Sequence, residues 1–94
     1  MPTYITLIKW TDQGRKEVGT LPDRVAAVSK RLQEAGAKLL GNYVAMGRYD
    51  QVAIVDAPND EVVAKLALVI AGRGNAVTET LRCFSMEEVR KLMS

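Results

Sequence analysis

Three short segments of this chain hold the residue types that could do chemistry. Lys9-Trp10 ends a run of aromatic and β-branched residues, Arg48-Tyr49-Asp50 follows a glycine, and Asn75 follows Gly72-Arg73-Gly74. An aromatic wall, several hydrogen-bond donors and one carboxylate are what a small-molecule site requires. The sequence therefore offers a candidate site made of Lys9, Trp10, Arg48, Tyr49, Asp50, Arg73 and Asn75.

These residue types predict particular roles. Asp50, partly removed from water beside Trp10, would act as a general base, with Tyr49 as a hydrogen-bond donor. Arg48 would hold an anionic substrate. The ligand-binding residues would be Trp10, Arg48, Lys9 and Asn75.

A structural interpretation of the same residues competes with this one. The glycine before Arg48 would serve a turn, Asp50 would pair with Lys9 or Arg48, and Trp10 would fill the core or an interface. Because structural ion pairs and interface aromatic residues are common, the pattern favours this interpretation over a site.

The composition excludes several classes of chemistry. The chain has 94 residues, which is enough for a single domain, and it contains no histidine and one cysteine. It therefore lacks a His or Cys cluster for a metal, a Ser–His pair, a haem-ligating histidine and an internal disulfide. We expect no metal site and no cofactor, and we expect Cys83 to be a small buried residue.

Charge and hydropathy argue against nucleic acids and membranes as partners. The net charge of +2 is too small to indicate a phosphate-tracking surface. The third predicted strand includes Asp50-Gln51-Val52, where an RNA-recognition domain carries basic and stacking residues. No secretory signal and no apolar stretch near the roughly 20 residues of a membrane span is visible, which predicts a cytoplasmic protein.

Local patterns predict the element order βαββαβ, followed by a short helix. The predicted strands cover residues 4–10, 38–46, 49–56 and 75–84, and the first helix covers 22–35. A second helix begins at the acidic turn Asp60-Glu61 and ends at Gly72, and the capping box Ser85-Met86-Glu87-Glu88 begins the last helix. Gly47-Arg48 predicts a two-residue hairpin turn, and Asp12-Gln13-Gly14 predicts a break after the first strand.

With right-handed crossovers, this order gives an α+β fold, the ferredoxin-like sandwich. Its four-stranded antiparallel sheet has the order four-one-three-two and carries both long helices on one face. The end of strand one then meets the start of strand three at one sheet edge. We therefore expect Trp10 and Asp50 to be neighbours, with Arg24 and Asn75 at the same edge.

The helix-free face of this sheet predicts a partner. In strand one, Ile5 and Leu7 point one way while Tyr4 and Ile8 point the other, so both faces of a central strand are apolar. The alternation in strand two likewise sets Leu39 and Tyr43 opposite Leu40, Val44 and Met46. A monomer would expose a larger apolar patch than soluble monomers usually show, so we expect a homodimer with these faces packed together. In the alternative, the last helix folds back through Val89, Leu92 and Met93 to cover its own sheet.

The segment Met46-Gly47-Arg48-Tyr49-Asp50, followed by Val52-Ile54-Val55 and Ala57-Pro58-Asn59-Asp60-Glu61, resembles the GYD domain family. The family label comes from a Gly, Tyr and Asp signature, which corresponds here to Gly47, Tyr49 and Asp50. The opening Tyr4-Ile5-Thr6-Leu7 is similar as well, so the resemblance covers nearly the whole chain, and we expect one domain over residues 1–94. It implies a ferredoxin-like, dimeric α/β-barrel fold and brings no established reaction.

Two classes of function fit these observations. The first is an oligomeric binding or assembly module that holds a small molecule or presents a surface. The second is a cofactor-independent enzyme, similar to a monooxygenase or an isomerase, that uses Asp50. A tautomerase-like use of Pro2, which follows the first methionine and leads into a strand, is a further alternative. The binding module requires fewer assumptions.

Overall fold

Four antiparallel strands and two long helices make up most of the computed structural model, which describes residues 1–94. The strands are β1 (Thr3–Trp10), β2 (Lys38–Val44), β3 (Gln51–Asp56) and β4 (Ala76–Cys83). The helices are α1 (Asp12–Lys16), α2 (Leu21–Glu34), α3 (Asp60–Arg73) and α4 (Met86–Met93), with a short 3-10 turn at Val18–Thr20. The sheet order is β2-β3-β1-β4. The predicted α+β ferredoxin-like fold and strand order are confirmed.

The core lies between the sheet and the two long helices. Tyr4 on β1 and Val55 on β3 are directly opposite each other and pack with Leu32 of α2 and Val63 of α3. The Tyr4 hydroxyl also donates a hydrogen bond to the Asp60 carboxylate, which raises the pKa of Tyr4. Side chains two residues apart share a face of a strand. The face of β1 and β3 that carries Tyr4 and Val55 is therefore the one that α2 and α3 cover.

Local capping residues set the ends of the helices. The Asn59 side chain accepts the Val62 N–H at 3.1 Å to begin α3. Gly74 ends it in the left-handed conformation, with φ of 75°, so α3 extends one residue beyond the predicted end at Gly72. The capping box at the start of α4 is confirmed, because Ser85 and Glu88 exchange hydrogen bonds of 3.0 and 3.1 Å.

The break after the first strand predicted at Asp12-Gln13-Gly14 is confirmed, since β1 ends at Trp10, but these residues also begin α1, a helix that the sequence interpretation did not include. The Thr11 hydroxyl oxygen accepts the Gly14 N–H at 3.2 Å and caps the helix. The same hydroxyl donates to the Gly74 carbonyl at 2.7 Å, and the Thr11 N–H donates to the Asn75 carbonyl at 3.1 Å. These bonds fasten α1 to the loop before β4, a long-range contact that no local pattern encodes.

The two-residue hairpin turn predicted at Gly47-Arg48 is also wrong. β2 ends at Val44 and β3 begins at Gln51, which leaves a loop of residues 45–50. The Ala45 N–H donates to the Asp50 carbonyl at 2.8 Å and closes this loop. Gly47 has φ of +118°, a conformation that favours glycine, so the glycine does serve the turn but within a longer loop.

A β-bulge in β2 changes which residues face the helices. The register shifts between Leu39, opposite Val55, and Gly41, opposite Ile54. Leu39 therefore faces the helices and Tyr43 faces the other side, so the prediction that they share a face is wrong.

The other face of the sheet carries no helix, and we call it the open face. Its centre is formed by Ile5, Leu7, Val52 and Ile54, and towards its edges lie Tyr43, 62% exposed, and Leu81, 41% exposed. The short helix α4 does not cover it, because Met86, Leu92 and Met93 of α4 remain exposed. The alternative in which α4 shields its own sheet is therefore wrong.

None of the helices is long and apolar enough to span a membrane.

Candidate functional site

Trp10 and Asp50 are neighbours, as the predicted topology requires. The Trp10 backbone N–H donates to Oδ2 of Asp50 at 2.8 Å, and the Asp50 N–H donates to the Ile8 carbonyl at 2.9 Å. Both bonds join loop 45–50 to the end of β1. The Asp50 carboxylate is thus engaged by the backbone and is not part of the cavity described below.

The remaining predicted site residues separate onto different surfaces. Lys9 is exposed and alternates with Trp10, so its side chain belongs to the open face. Arg48 is exposed at the tip of loop 45–50. The Tyr49 hydroxyl donates to Oε2 of Glu79 at 2.6 Å, and this bond raises the pKa of Tyr49. Since Glu79 lies opposite Leu7 of the open face, Tyr49 is directed away from the helices.

Trp10 and Asn75 line a cavity of about 90 Å³ between the sheet and helices α2 and α3. This volume is well above the roughly 10–15 Å³ that one water molecule needs. Most of the wall is aliphatic, and the aliphatic residues that line it include Ile8, Val25, Val28, Leu32, Leu66 and Ile70. The polar groups collect towards the end of the sheet that the topology predicted, where β1 ends and β4 begins.

A hydrogen-bonded row of side chains crosses three strands on the cavity wall. Nε1–H of Trp10 donates to Oε1 of Gln51 at 3.0 Å, and Nε2–H of Gln51 donates to Oδ1 of Asn42 at 2.7 Å. Gln51 is only 5% exposed. Because each member satisfies the next, the row fixes the Trp10 indole at the cavity's polar end.

Arg24 and Asn75, two residues that line the cavity, each hold a buried polar atom without a partner. Nη2–H of Arg24 donates to the Glu17 carbonyl at 3.2 Å, but its Nε–H is buried without a partner. Oδ1 of Asn75 is likewise buried without a partner. A buried unpaired polar group costs about 1–3 kcal/mol, so each of these two atoms lowers the stability of the fold at this end of the sheet.

The charge at this end is positive and unbalanced. Arg24 and Arg73 both line the cavity, and no acidic residue does. The ion pairs of the structure, Arg15 with Asp12 and Arg90 with Glu87, involve neither of them. The cavity therefore combines an aliphatic interior with cationic and amide groups, which suits an organic anion.

Asn42 and Gln51 are site residues that the sequence interpretation missed. The signal was present, because Gln51 begins an inward-facing series that continues with the buried Ala53 and Val55. A polar residue in such a series requires a buried partner. Asn42 could not be found in this way, since the bulge in β2 determines the face on which it lies.

Pro2 lies at the opposite end of β1 from Trp10. Its carbonyl accepts the Ala57 N–H at 3.0 Å, and Pro2 does not line the cavity. The structure therefore brings Pro2 to none of the other predicted site residues.

Comparison with known proteins identifies a family and two similar proteins for this chain. Residues 4–93 match the family model of the GYD domain. The curated glutamine synthetase and cystathionine beta-lyase binding protein of Thermus thermophilus is 32% identical over 90 residues, which cover 95% of each chain. The crystal structure of TTHA0845, from the same organism, is similar with a TM-score of 0.55 and 25% identity, over 90% of this chain and 95% of that chain.

Proposed function

The chain belongs to the GYD domain family, and on that premise we propose that it works as a homodimeric module that binds metabolic enzymes. The observation that carries the proposal is the apolar open face of the sheet. Leu7 and Val52 face each other across β1 and β3 on that side, and so do Ile5 and Ile54. Contiguous apolar patches of this kind mark interaction surfaces.

A second copy of the chain fits this face best. Four strands about 4.8 Å apart, each about 7 residues long, present roughly 450 Å² in projection, and side-chain relief adds to it. That is a little over half of the roughly 800 Å² per partner of standard stable interfaces, so side-chain relief and contacts outside the sheet must supply the rest. Lys9 and Glu79 add both signs of charge to the open face, so two copies related by a two-fold axis can meet without like charges being forced together.

Helix α4 supports the same partner. It follows the edge strand β4 directly, and its apolar residues Leu92 and Met93 are 66% and 80% exposed. Since these two side chains are exposed in the single subunit, we place the apolar side of α4 against the partner copy, next to the open face. The dimer then covers both exposed apolar surfaces.

The enzyme partners come from the relative. A protein 32% identical over nearly its full length is named for binding glutamine synthetase and cystathionine beta-lyase. We extend enzyme binding to this chain because nearly the whole domain is shared, and not an isolated motif. The chemistry predicted through Asp50 and Pro2 has no comparable support, since neither residue lines the cavity.

Sedimentation equilibrium tests the dimer. We expect the wild-type 10.3 kDa chain to sediment as two copies at micromolar concentration. Tyr43→Arg and Leu81→Arg, on opposite edges of the open face, should each shift the protein towards monomer. The matched control is Leu68→Arg, which places the same charge on a residue of α3 that is 73% exposed and away from the open face. A wild-type monomer, or equal dissociation by the control, would refute the face-to-face dimer.

Surface plasmon resonance tests the enzyme partners. The purified glutamine synthetase and cystathionine beta-lyase from the same genome would be passed over the immobilised wild-type chain. We expect saturable binding by at least one of them, and no binding by a dehydrogenase of similar size and charge. No binding by either enzyme to a chain shown to be dimeric would refute enzyme binding and leave the dimer standing.

A further inference from the structure

Loop 45–50 has an exposed tip that neither the core nor the open face accounts for. Met46 is 100% exposed and the next two residues are exposed as well, whereas Ala45 and Tyr49 on either side are half-buried. We propose that this tip, residues 46–48, is the segment that inserts into the partner enzyme, at a narrow apolar pocket with a carboxylate at its rim. This role of the tip rests on the proposed enzyme binding, and it identifies the part of the chain that makes the contact.

Four hydrogen bonds fasten the base of the loop. Asp50 takes part in three of them, through its N–H, its carbonyl and its carboxylate, and the Tyr49 hydroxyl makes the fourth, to Glu79. A two-residue turn would be enough to join β2 to β3, so these bonds hold a longer segment in shape than the connection requires. A segment that is ordered before it binds loses less conformational freedom when it docks, which favours affinity.

The residues after which the family is labelled all act on the shape of this loop. Tyr49 and Asp50 hold its base, and Gly47 has φ of +118°, which permits the turn at its tip. None of the three belongs to the buried core. What they have in common is therefore the shape of the loop, which presents Met46 and Arg48 on either side of Gly47.

The chemistry of the enzyme pocket is assigned from Met46 and Arg48. A fully exposed methionine side chain gains by leaving water, and its unbranched thioether adapts to a narrow, irregular pocket. Arg48 takes part in neither of the two ion pairs of the structure, so its guanidinium is available to a carboxylate of the partner. Methionine and arginine are both enriched at protein interfaces.

Surface plasmon resonance with variants of the tip tests this role. The immobilised chain carries Met46→Glu or Arg48→Glu, and the glutamine synthetase or cystathionine beta-lyase that binds the wild-type chain is passed over it. Each variant should weaken the affinity by about 10-fold to 100-fold, the effect of losing one interface hot spot. The matched controls are Leu68→Glu on α3 and Arg31→Glu on α2, which make the same changes at exposed residues outside the loop and should leave the affinity unchanged.

Gly47→Ala tests the shape of the tip. A Cβ at Gly47 meets nothing within 4 Å, but φ of +118° strains any residue that has a side chain, so the tip must change shape. We expect the affinity to fall by about 5-fold or more. The matched control, Gly36→Ala, brings a similar strain to the turn after α2, where φ is +79° and a Cβ also meets nothing within 4 Å, and it should leave the affinity unchanged.

The salt dependence of binding tests the carboxylate at the rim of the pocket. Raising the ionic strength from about 0.01 M to about 0.15 M shortens the Debye length from about 30 Å to about 8 Å. The affinity of the wild-type chain should fall over this range, and that of Arg48→Met should fall less. An equal fall for the two chains would overturn the carboxylate.

Sedimentation equilibrium and circular dichroism accompany each variant, because the tip variants should remain dimeric and folded. If Met46→Glu does not fold, Met46→Ser replaces it, with loss of affinity again expected. Dissociation of the dimer by Met46→Glu would mean that the tip contacts the second copy, and would overturn the proposal. Wild-type affinity in either Met46→Glu or Arg48→Glu, or an equal loss in the controls, would overturn the role of the tip and leave enzyme binding standing. If the wild-type chain binds neither enzyme, both fall together.

Discussion

Gly14 lies against the backbone carbonyl of Asn75, so closely that a Cβ at position 14 would come within 2.0 Å of that oxygen. The contact joins α1 to the loop that begins β4, next to the Thr11 N–H that donates to the same carbonyl. Because the obstacle is backbone, no flexible side chain can move aside. Gly14 therefore has to be glycine, and the position of Asn75 at the cavity depends on it.

We predict that Gly14→Ala lowers the free energy of unfolding by about 1–3 kcal/mol, since the methyl group must force α1 away from the loop before β4. Chemical denaturation measures this. The matched control is Gly19→Ala, because a Cβ at Gly19 meets nothing within 4 Å and its φ is not positive, so its effect should stay within about 0.5 kcal/mol. Equal effects of the two variants would contradict the close contact.

Substitutions of Asp50 provide a second prediction, because a structural role and a catalytic role of its carboxylate predict different results. Its carboxylate accepts the Trp10 N–H at 2.8 Å, and an asparagine Oδ1 could accept the same bond. We expect Asp50→Asn to cost less than about 1 kcal/mol of stability and Asp50→Ala to cost about 1–3 kcal/mol, because only alanine leaves the N–H without an acceptor. Denaturation of both variants provides the measurement. Any wild-type turnover that Asp50→Asn abolishes while its stability is unchanged would instead identify a base.

The sequence predicted the element order because its signals are local. Asn59 and Gly74 bound α3, and Ser85 with Glu88 begins α4, all through bonds between residues close in the chain. The strand order then followed from the handedness of crossovers. The local cap of α1, Thr11 on the Gly14 N–H, was missed, and the position of this helix depends on contacts between Thr11 or Gly14 and the loop more than 60 residues later.

For the candidate site, the sequence predicted the edge of the sheet at which the residues lie, but not the face to which each side chain points. Grouping Lys9 with Trp10 overlooked the strand alternation that sends them to opposite faces. Asp50 was correctly predicted to lie beside Trp10. The hydrogen bond that its carboxylate accepts from the Trp10 N–H was not predicted, because it depends on the length of loop 45–50. The Asp50 N–H also donates to the Ile8 carbonyl, a contact with β1 that a hairpin rule does not consider.

Gln51 carries a third prediction. It is buried and bonds to both Trp10 and Asn42, so Gln51→Met would leave the indole Nε1–H and the Asn42 Oδ1 without their partners. We expect a loss of about 2–4 kcal/mol, larger than for one unsatisfied group, together with a shift of the Trp10 fluorescence maximum.

The matched control for Gln51→Met is Gln33→Met, the same change on an exposed residue of α2. It should alter the free energy of unfolding by less than about 0.5 kcal/mol and leave the fluorescence maximum in place. An unchanged emission maximum in Gln51→Met would show that the row does not hold the indole.

The pH dependence of α4 provides the last prediction. Oε1 of Glu88 accepts the Ser85 N–H at 3.0 Å, and this bond lowers the pKa of the Glu88 carboxyl below its ordinary value of 4.5. A carboxyl whose pKa is lower in the folded helix stabilises the helix above the unfolded value, and that stabilisation is lost as pH falls through the folded value. Hydrogen exchange of the α4 amides should therefore accelerate below pH 4.5 relative to an unstructured peptide, and NMR titration of the Glu88 carboxyl should give a midpoint below 4.5.

In Glu88→Gln the change in amide protection should disappear, whereas Glu87→Gln, which removes an exposed carboxylate paired only with Arg90, should retain it. A Glu88 midpoint at or above 4.5, or identical behaviour of the two variants, would mean that the capping box does not govern the start of α4.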